Sequence, residues 1–239
     1  MNTFPEPDED LLALADRAMS TLATYHRHTV RGLGNLPESG PGLLVVNHSM
    51  ITYDVLMLQM HIFRETGRFA RSLGDRALFK IPILAELTRA FGVVEGDPHA
   101  GQRLLDAGEL VLVAPGGMRE ALRPSTEKYD LRWGRRKGFV ELAIRTGAPV
   151  FLAACPRADD IFKVYQNPVT AAIYRRFRMP VPVFRGVGPT LIPRPVRLTH
   201  RIDEAWLPPK GPVTREKVST AHDALTRRMI TLMRQTLSD

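Results

Sequence analysis

Three short apolar runs, at residues 42–46, 109–114 and 148–153, each border a proline, glycine or polar residue, and stretches with helical spacing lie between them. The first, Gly42-Leu43-Leu44-Val45-Val46, sits between Pro41 and Asn47, the second runs into Pro115-Gly116-Gly117, and the third follows a helical stretch at 138–146. Runs this short and this predominantly apolar suit strands covered on both faces. Strands alternating with helices predict an α/β fold, a largely parallel central sheet flanked by helices. Ligands of such sheets gather beyond the carboxyl ends of the strands. Asn47-His48 and Pro115-Gly116-Gly117 both stand at such ends, which predicts that they face one cleft.

The remainder fits around that sheet as one domain spanning residues 1–239, with 1–30 an N-terminal helical segment. Leu11, Leu12, Leu14, Ala15, Ala18, Met19 and Leu22 recur at helical spacing after Asp8 and Asp10, predicting an amphipathic helix to about residue 27. Its apolar stripe suits packing on the core, or a lipid-facing cover. A second helix is expected over 54–64 and a last one over 214–237. Prolines crowd residues 167–212, which predicts short edge strands and loops there.

Charge narrows the partners. Lys and Arg number 33 against 25 Asp and Glu, a formal net charge of +8, and this excess favours nucleic acid, an anionic bilayer or a phosphate-bearing substrate. At 44% hydrophobic and 24% charged residues the chain has the makings of a folded core and not of a disordered segment. The single cysteine, Cys155, precludes an internal disulfide and is compatible with a reducing cytoplasm. No apolar run approaches the roughly 20 residues of a membrane-spanning helix. The acidic start Pro5-Glu6-Pro7-Asp8-Glu9-Asp10 is unlike a signal peptide, so membrane contact is expected to be peripheral, at the inner face of a cytoplasmic membrane.

The segment Asn47-His48-Ser49-Met50-Ile51-Thr52-Tyr53-Asp54 puts a histidine after a strand and an aspartate six residues on. On one continuous helix that spacing turns the side chains about 240° apart, so they meet only if His48 lies in a turn and Asp54 at the next helix start. Asp54 then accepts a hydrogen bond from one imidazole nitrogen and leaves the other free as a general base. The alternative reading of the same spacing is a satisfied histidine at a strand end and an aspartate capping a helix.

Asn47-His48 with Asp54 resembles the signature of the glycerophospholipid (lysophospholipid) acyltransferase family, whose common form has four residues between His and Asp; this chain has five, similar to the diacylglycerol acyltransferase-like branch. A second block, Ala114-Pro115-Gly116-Gly117-Met118-Arg119-Glu120-Ala121-Leu122 followed by Trp133-Gly134-Arg135-Arg136-Lys137-Gly138-Phe139, resembles the same branch. The wider family reads Phe-Pro-Glu-Gly-Thr-Arg there, so Gly116 stands where the family has glutamate, and Glu120 is not read as its replacement. A looser match covers Ser72 to Pro82, and Gly147-Ala148-Pro149-Val150 resembles the family's last, structural motif.

The resemblance implies an O-acyltransferase in which His48, oriented by Asp54, deprotonates a lysophospholipid or acylglycerol hydroxyl for attack on acyl-CoA or an acyl carrier protein thioester. It implies no cofactor and no metal, with acyl-CoA as co-substrate. Substrate-binding candidates are Arg76 and Lys80 for a polar headgroup, the Gly116 and Gly117 amides for an anionic oxygen, and Arg119 for a phosphate or carboxylate. Cys155 is the candidate for a covalent route but sits in an apolar strand, where a small hydrophobe packs.

Competing readings are a catalytically inactive lipid-binding relative and a nucleic-acid-binding protein. The latter rests on the basic stretch at 132–137 and on Tyr174-Arg175-Arg176-Phe177-Arg178, without a recognised binding module. A metal hydrolase would need a third ligand beside His26 and His28, and none stands at metal-site spacing. No glycine-flanked serine supplies the nucleophile elbow of a serine hydrolase.

Overall fold

The computed structural model describes residues 8–74, 79, 85–86, 88, 91–165 and 183–239. Its centre is a 7-stranded sheet built from β1 (Thr29–Arg31), β2 (Gly42–Val46), β3 (Arg71–Gly74), β4 (Val94–Glu95), β5 (Leu110–Val113), β6 (Val150–Ala154) and β9 (Thr199–Ile202), in the order β1-β9-β6-β2-β5-β3-β4. All neighbours pair parallel except β6 and β9. The largely parallel sheet expected from the sequence is the sheet observed. One expectation needs correction. Thr199–Ile202 is no edge strand but lies between β1 and β6, because Leu198 and Ile202 bury their side chains where an edge would expose them. A separate antiparallel pair, β7 (Lys163–Tyr165) and β8 (Val183–Arg185), stands apart from the sheet.

The three apolar runs form the middle of the sheet, with β2 flanked by β5 and β6. Every residue of β2 and β6 is buried. Alternation along β2 sends Leu43 and Val45 to one face and Leu44 and Val46 to the other. Leu43 and Val45 pack with α3 (Pro98–Asp106), α5 (Gly138–Thr146) and the C-terminal α6 (Arg215–Ser238). Leu44 and Val46 meet Val55, Leu58 and Ile62 of α2 (Tyr53–Thr66), whose i, i+3, i+7 spacing makes one apolar stripe. Burying each such leucine contributes about 1.5–3 kcal/mol.

Caps fix the ends of the helices. The Asp8 carboxylate accepts from the Leu11 amide at the start of α1 (Glu9–Tyr25), and Thr214 accepts from the Lys217 amide at the start of α6. Gly67 ends α2 and Gly147 ends α5, both in the left-handed conformation. No residue of α1 is fully buried, yet Met19, Leu22 and Ala23 pack on the cluster of Tyr53, Met57, Cys155 and Phe162. This helix rests on the domain by a narrow stripe and leaves Leu14 63% exposed. Among the described residues no helix is long and apolar enough to cross a membrane.

Candidate active site

The turn from β2 into α2 carries the first half of the site. Asn47 closes the strand: its side chain accepts from the Cys155 amide (2.7 Å) and donates to the Cys155 carbonyl (3.4 Å), tying the ends of β2 and β6 together. Ile51 (φ 69°) and Thr52 (φ 62°) then both take the left-handed conformation, which β-branched residues rarely adopt. That double reversal absorbs the five-residue spacing. It drops Asp54 into the buried first turn of α2 while His48 stays half-buried.

The expected hydrogen bond between His48 and Asp54 is not formed. Ser49 stands between them: its hydroxyl donates to Asp54 Oδ1 at 2.5 Å, and its carbonyl lies 3.0 Å from His48 Nδ1. The Thr52 hydroxyl donates to the Ser49 carbonyl (3.1 Å) and lies 3.0 Å from the same imidazole nitrogen. With the Thr52 proton so used, Thr52 Oγ1 accepts from His48. This network assigns the imidazole proton to Nδ1 and leaves on Nε2 a lone pair to which no described residue donates. Asp54 is thus linked to His48 only by way of Ser49, because the left-handed turn brings the serine hydroxyl to the carboxylate first.

Electrostatics keep the imidazole neutral. Burial pushes the His48 pKa down, the Ser49 carbonyl opposes this, and the cationic Arg123 and Arg136 push further down. Burial pushes Asp54 up to about 6, against the Ser49 hydroxyl bond.

The second half of the site is the Pro115-Gly116-Gly117 turn after β5, next to β2 in the sheet. Here too an expectation is corrected. The Gly117 amide does not face a substrate: it donates to the Ala114 carbonyl at 3.1 Å, because Gly117 (φ 48°) folds the chain into the five-residue α4 (Gly117–Ala121). The exposed Arg136 donates from its guanidinium to the Pro115 carbonyl (2.9 Å) and to the Gly116 carbonyl, bracing the turn from the solvent side. Lys137 bonds Ser219 Oγ at 3.0 Å, and Arg132 pairs with Glu127. Arg119 is exposed. Arg76, Lys80 and the Tyr174-to-Arg178 stretch lie outside the described residues.

Glu120 joins the halves. It is fully buried on α4, and its Oε1 accepts from the His48 amide at 3.2 Å. Behind it Arg123, itself buried, lies 3.5 Å from Glu120 Oε1 and ion-pairs with Asp159, whose carboxylate also accepts from the Tyr129 amide at 2.7 Å. Burial pushes Glu120 up to about 7, with Arg123 opposing, and raises Asp159 in the same way. The expectation that the two strand ends face one site is met by this contact. Ser49, Thr52, Arg123 and Asp159 escaped sequence reasoning. The i, i+3 spacing of Glu120 and Arg123 was the one local hint, and Asp159 arrives from a short 3-10 helix at 156–160 that follows β6.

A third group of buried polar residues lies under Asp54. His200 Nε2 is 3.8 Å from Asp54 Oδ2, and His200 Nδ1 is 2.8 Å from His28 Nε2. Ligand atoms of Asp54, Cys155 and His200 lie within 4.8 Å of one another, a grouping invisible in the sequence. Hydrogen bonds already serve the aspartate and one imidazole nitrogen, and burial raises the Cys155 thiol well above its ordinary pKa, away from the thiolate a metal needs. His26 bonds the Val196 carbonyl (2.9 Å) and the Tyr53 hydroxyl (2.7 Å), pinning α1 to the site.

The pattern of the family described as "Acyltransferase" matches residues 27–155, over half of the chain and every residue named so far at the β2 and β5 ends. The chain belongs to the acyltransferase family. Similar relatives include a "DGAT1/2-independent enzyme synthesizing storage lipids" of Bos taurus, 32% identical over 183 residues, covering 72% of this chain and 54% of the relative. An uncharacterized protein of Mycobacterium tuberculosis is 31% identical over 180 residues, covering 72% of this chain and 50% of its own. The chain spans about half the length of these curated relatives. Among solved structures, the 1-acyl-sn-glycerophosphate acyltransferase PlsC of Thermotoga maritima superimposes with a TM-score of 0.60 over 92% of this chain and 78% of its own, at 17% identity. That likeness establishes the fold, a mixed α/β domain with a mostly parallel central sheet flanked by helices.

Proposed function

We propose that this acyltransferase-family protein moves a fatty acyl chain from acyl-CoA to the hydroxyl of an acylglycerol or lysophospholipid, with His48 as general base. The observation that carries this reading is the bare Nε2 of a neutral imidazole, held at the carboxyl ends of two adjacent parallel strands. Nε2 takes the proton of the acceptor hydroxyl as its oxygen attacks the thioester carbonyl. Collapse of the tetrahedral intermediate breaks the C–S bond, and the histidine returns its proton to the departing thiolate. The Ser49 carbonyl and the Thr52 hydroxyl hold the Nδ1 proton, so that Nε2 is the nitrogen that takes up and returns the substrate proton, and Asp54 holds the Ser49 hydroxyl beside them. Cys155 is buried with its thiol held protonated, which fits direct transfer and not an acyl-cysteine.

Exposed Arg119 beside the turn suits a phosphate or carboxylate of either substrate. The name of the Bos taurus relative favours a storage-lipid acceptor, and the net charge of +8 favours work at an anionic membrane surface, reached from the cytoplasmic side. Leu191 (66% exposed) and Ile192 (59% exposed), flanked by Arg185 and Arg194, present apolar and cationic groups suited to such a surface.

The test is thiol release and lipid product from purified protein with radiolabelled oleoyl-CoA and vesicles offering monoacylglycerol, diacylglycerol or lysophosphatidic acid. Acyl transfer to one of these hydroxyls is the expected result. Binding of the lipids without transfer to any would replace the enzyme by a lipid-binding relative, and a salt-sensitive shift with single-stranded nucleic acid alone would favour the remaining alternative.

A further inference from the structure

Gly116 poses a question its backbone does not answer. Its φ of −62° and ψ of −33° are ordinary right-handed values open to any residue, so no turn geometry demands glycine here. The demand is steric and comes from one side chain. A Cβ at residue 116 would overlap the Glu120 carboxylate and its Cβ. A side chain at 116 and the Glu120 carboxylate therefore exclude each other.

The carboxylate occupies a position with a task. The His48 amide has just left β2, where a buried donor without an acceptor costs about 1–3 kcal/mol. Glu120 Oε1 is that acceptor, reaching across from the neighbouring strand end. Among the described residues buried Oε2 has no hydrogen-bond partner of ordinary geometry, and it is the atom nearest to the missing Gly116 side chain. Arg123 holds the carboxylate from behind, and Asp159 holds Arg123.

We infer that Glu120 is a positioning residue for the reaction: its side chain fills the volume vacated at Gly116 and fixes the His48 backbone, and so the direction of Nε2, against the β5 turn. This rests on His48 being the base. Glu120 does not exchange a proton with substrate in this role; what matters is a fixed acceptor for the His48 amide. The inference therefore separates two substitutions of similar size. Glu120→Gln keeps a carbonyl acceptor in the same place, whereas Glu120→Ala removes it. Arg123 retains Asp159 in both.

Two readouts test this on the whole chain. The first is hydrogen exchange of the His48 amide, which is independent of activity: protection is expected in the wild type and in Glu120→Gln and lost in Glu120→Ala. The second is steady-state acyl transfer. Glu120→Ala is expected to lose about tenfold to a hundredfold in kcat, the cost of one buried hydrogen bond expressed as rate, with the KM for acyl-CoA nearly unchanged. Glu120→Gln is expected within about threefold of wild type, since most of that bond survives. Wild-type exchange protection in Glu120→Ala, or a Glu120→Gln variant as slow as Glu120→Ala, overturns the positioning role. Full activity of His48→Ala would instead overturn the base, and the exchange experiment would still decide what Glu120 holds.

Discussion

The middle of strands β2, β5 and β6 and their carboxyl ends lie a few residues apart and are built on opposite rules. In the middle, the buried side chains are Leu43, Leu44, Val45, Val111, Leu112, Phe151 and Leu152, all hydrocarbon. At the ends the buried groups are Asn47, Ser49, Asp54, Glu120, Arg123 and His200. The middle gains stability from area alone, without direction. The ends hold groups that are costly unless each finds its partner, and the partners come from distant parts of the chain. The difference places the working parts where the sheet stops supplying backbone partners, so that side chains must.

The largest effect separating the two regions should come from the ends. Arg123→Ala leaves the Glu120 and Asp159 carboxylates uncompensated and should cost about 3–5 kcal/mol in urea denaturation. Leu44→Ala, in the middle, should cost about 2–5 kcal/mol through a cavity. Only pH distinguishes them. Both carboxylates have raised pKa values, Glu120 about 7, so acidification neutralises what Arg123 leaves behind. The Arg123→Ala loss should shrink from pH 8 to pH 5 while the Leu44→Ala loss stays constant; equal behaviour of the two would erase the comparison.

A middling effect is expected at Asp54. Its pKa of about 6 lies above the unfolded 3.8, so the folded state holds the proton more tightly. The stability from this group is full below about pH 4 and lost as pH rises through about 6. Asp54→Asn carries no such proton, so its melting temperature should gain on the wild type across that window and run parallel to it above pH 7. A difference between the two curves that does not change with pH would show that Asp54 titrates normally.

The smallest effect concerns the turn. Ile51 is 52% exposed and left-handed, so Ile51→Gly relieves roughly 1–2 kcal/mol of backbone strain. Part of that is offset by the freedom glycine brings to the unfolded chain, leaving up to about 1 kcal/mol of added stability in the same denaturation assay. A loss of stability would place the Ile51 side chain in a packing role that its exposure does not suggest.

What was legible in the sequence follows the same division. The three central strands, α2, α5 and the C-terminal helix were readable because apolar periodicity is local and both faces of the sheet are covered. The position of Thr199–Ile202 inside the sheet was not, since proline density nearby argued for an edge and only the long return of the chain puts it between β1 and β6. His48 and Asp54 were legible as residues but not as a contact: spacing alone gave no sign that two left-handed residues would interpose Ser49. Nothing local in the sequence marks Glu120 as the partner of the His48 amide. Only the closeness of its carboxylate to a Cβ at 116 makes the two positions one site.

The proposed acyl transfer depends on Nε2 of His48. Comparing single-turnover acyl transfer from oleoyl-CoA by the wild type and by His48→Gln, with matching circular dichroism and melting temperature, tests it most directly. The loss of a general base predicts a rate lower by about 10²–10⁴-fold with acyl-CoA still bound. A His48→Gln protein transferring acyl chains at the wild-type rate would contradict it.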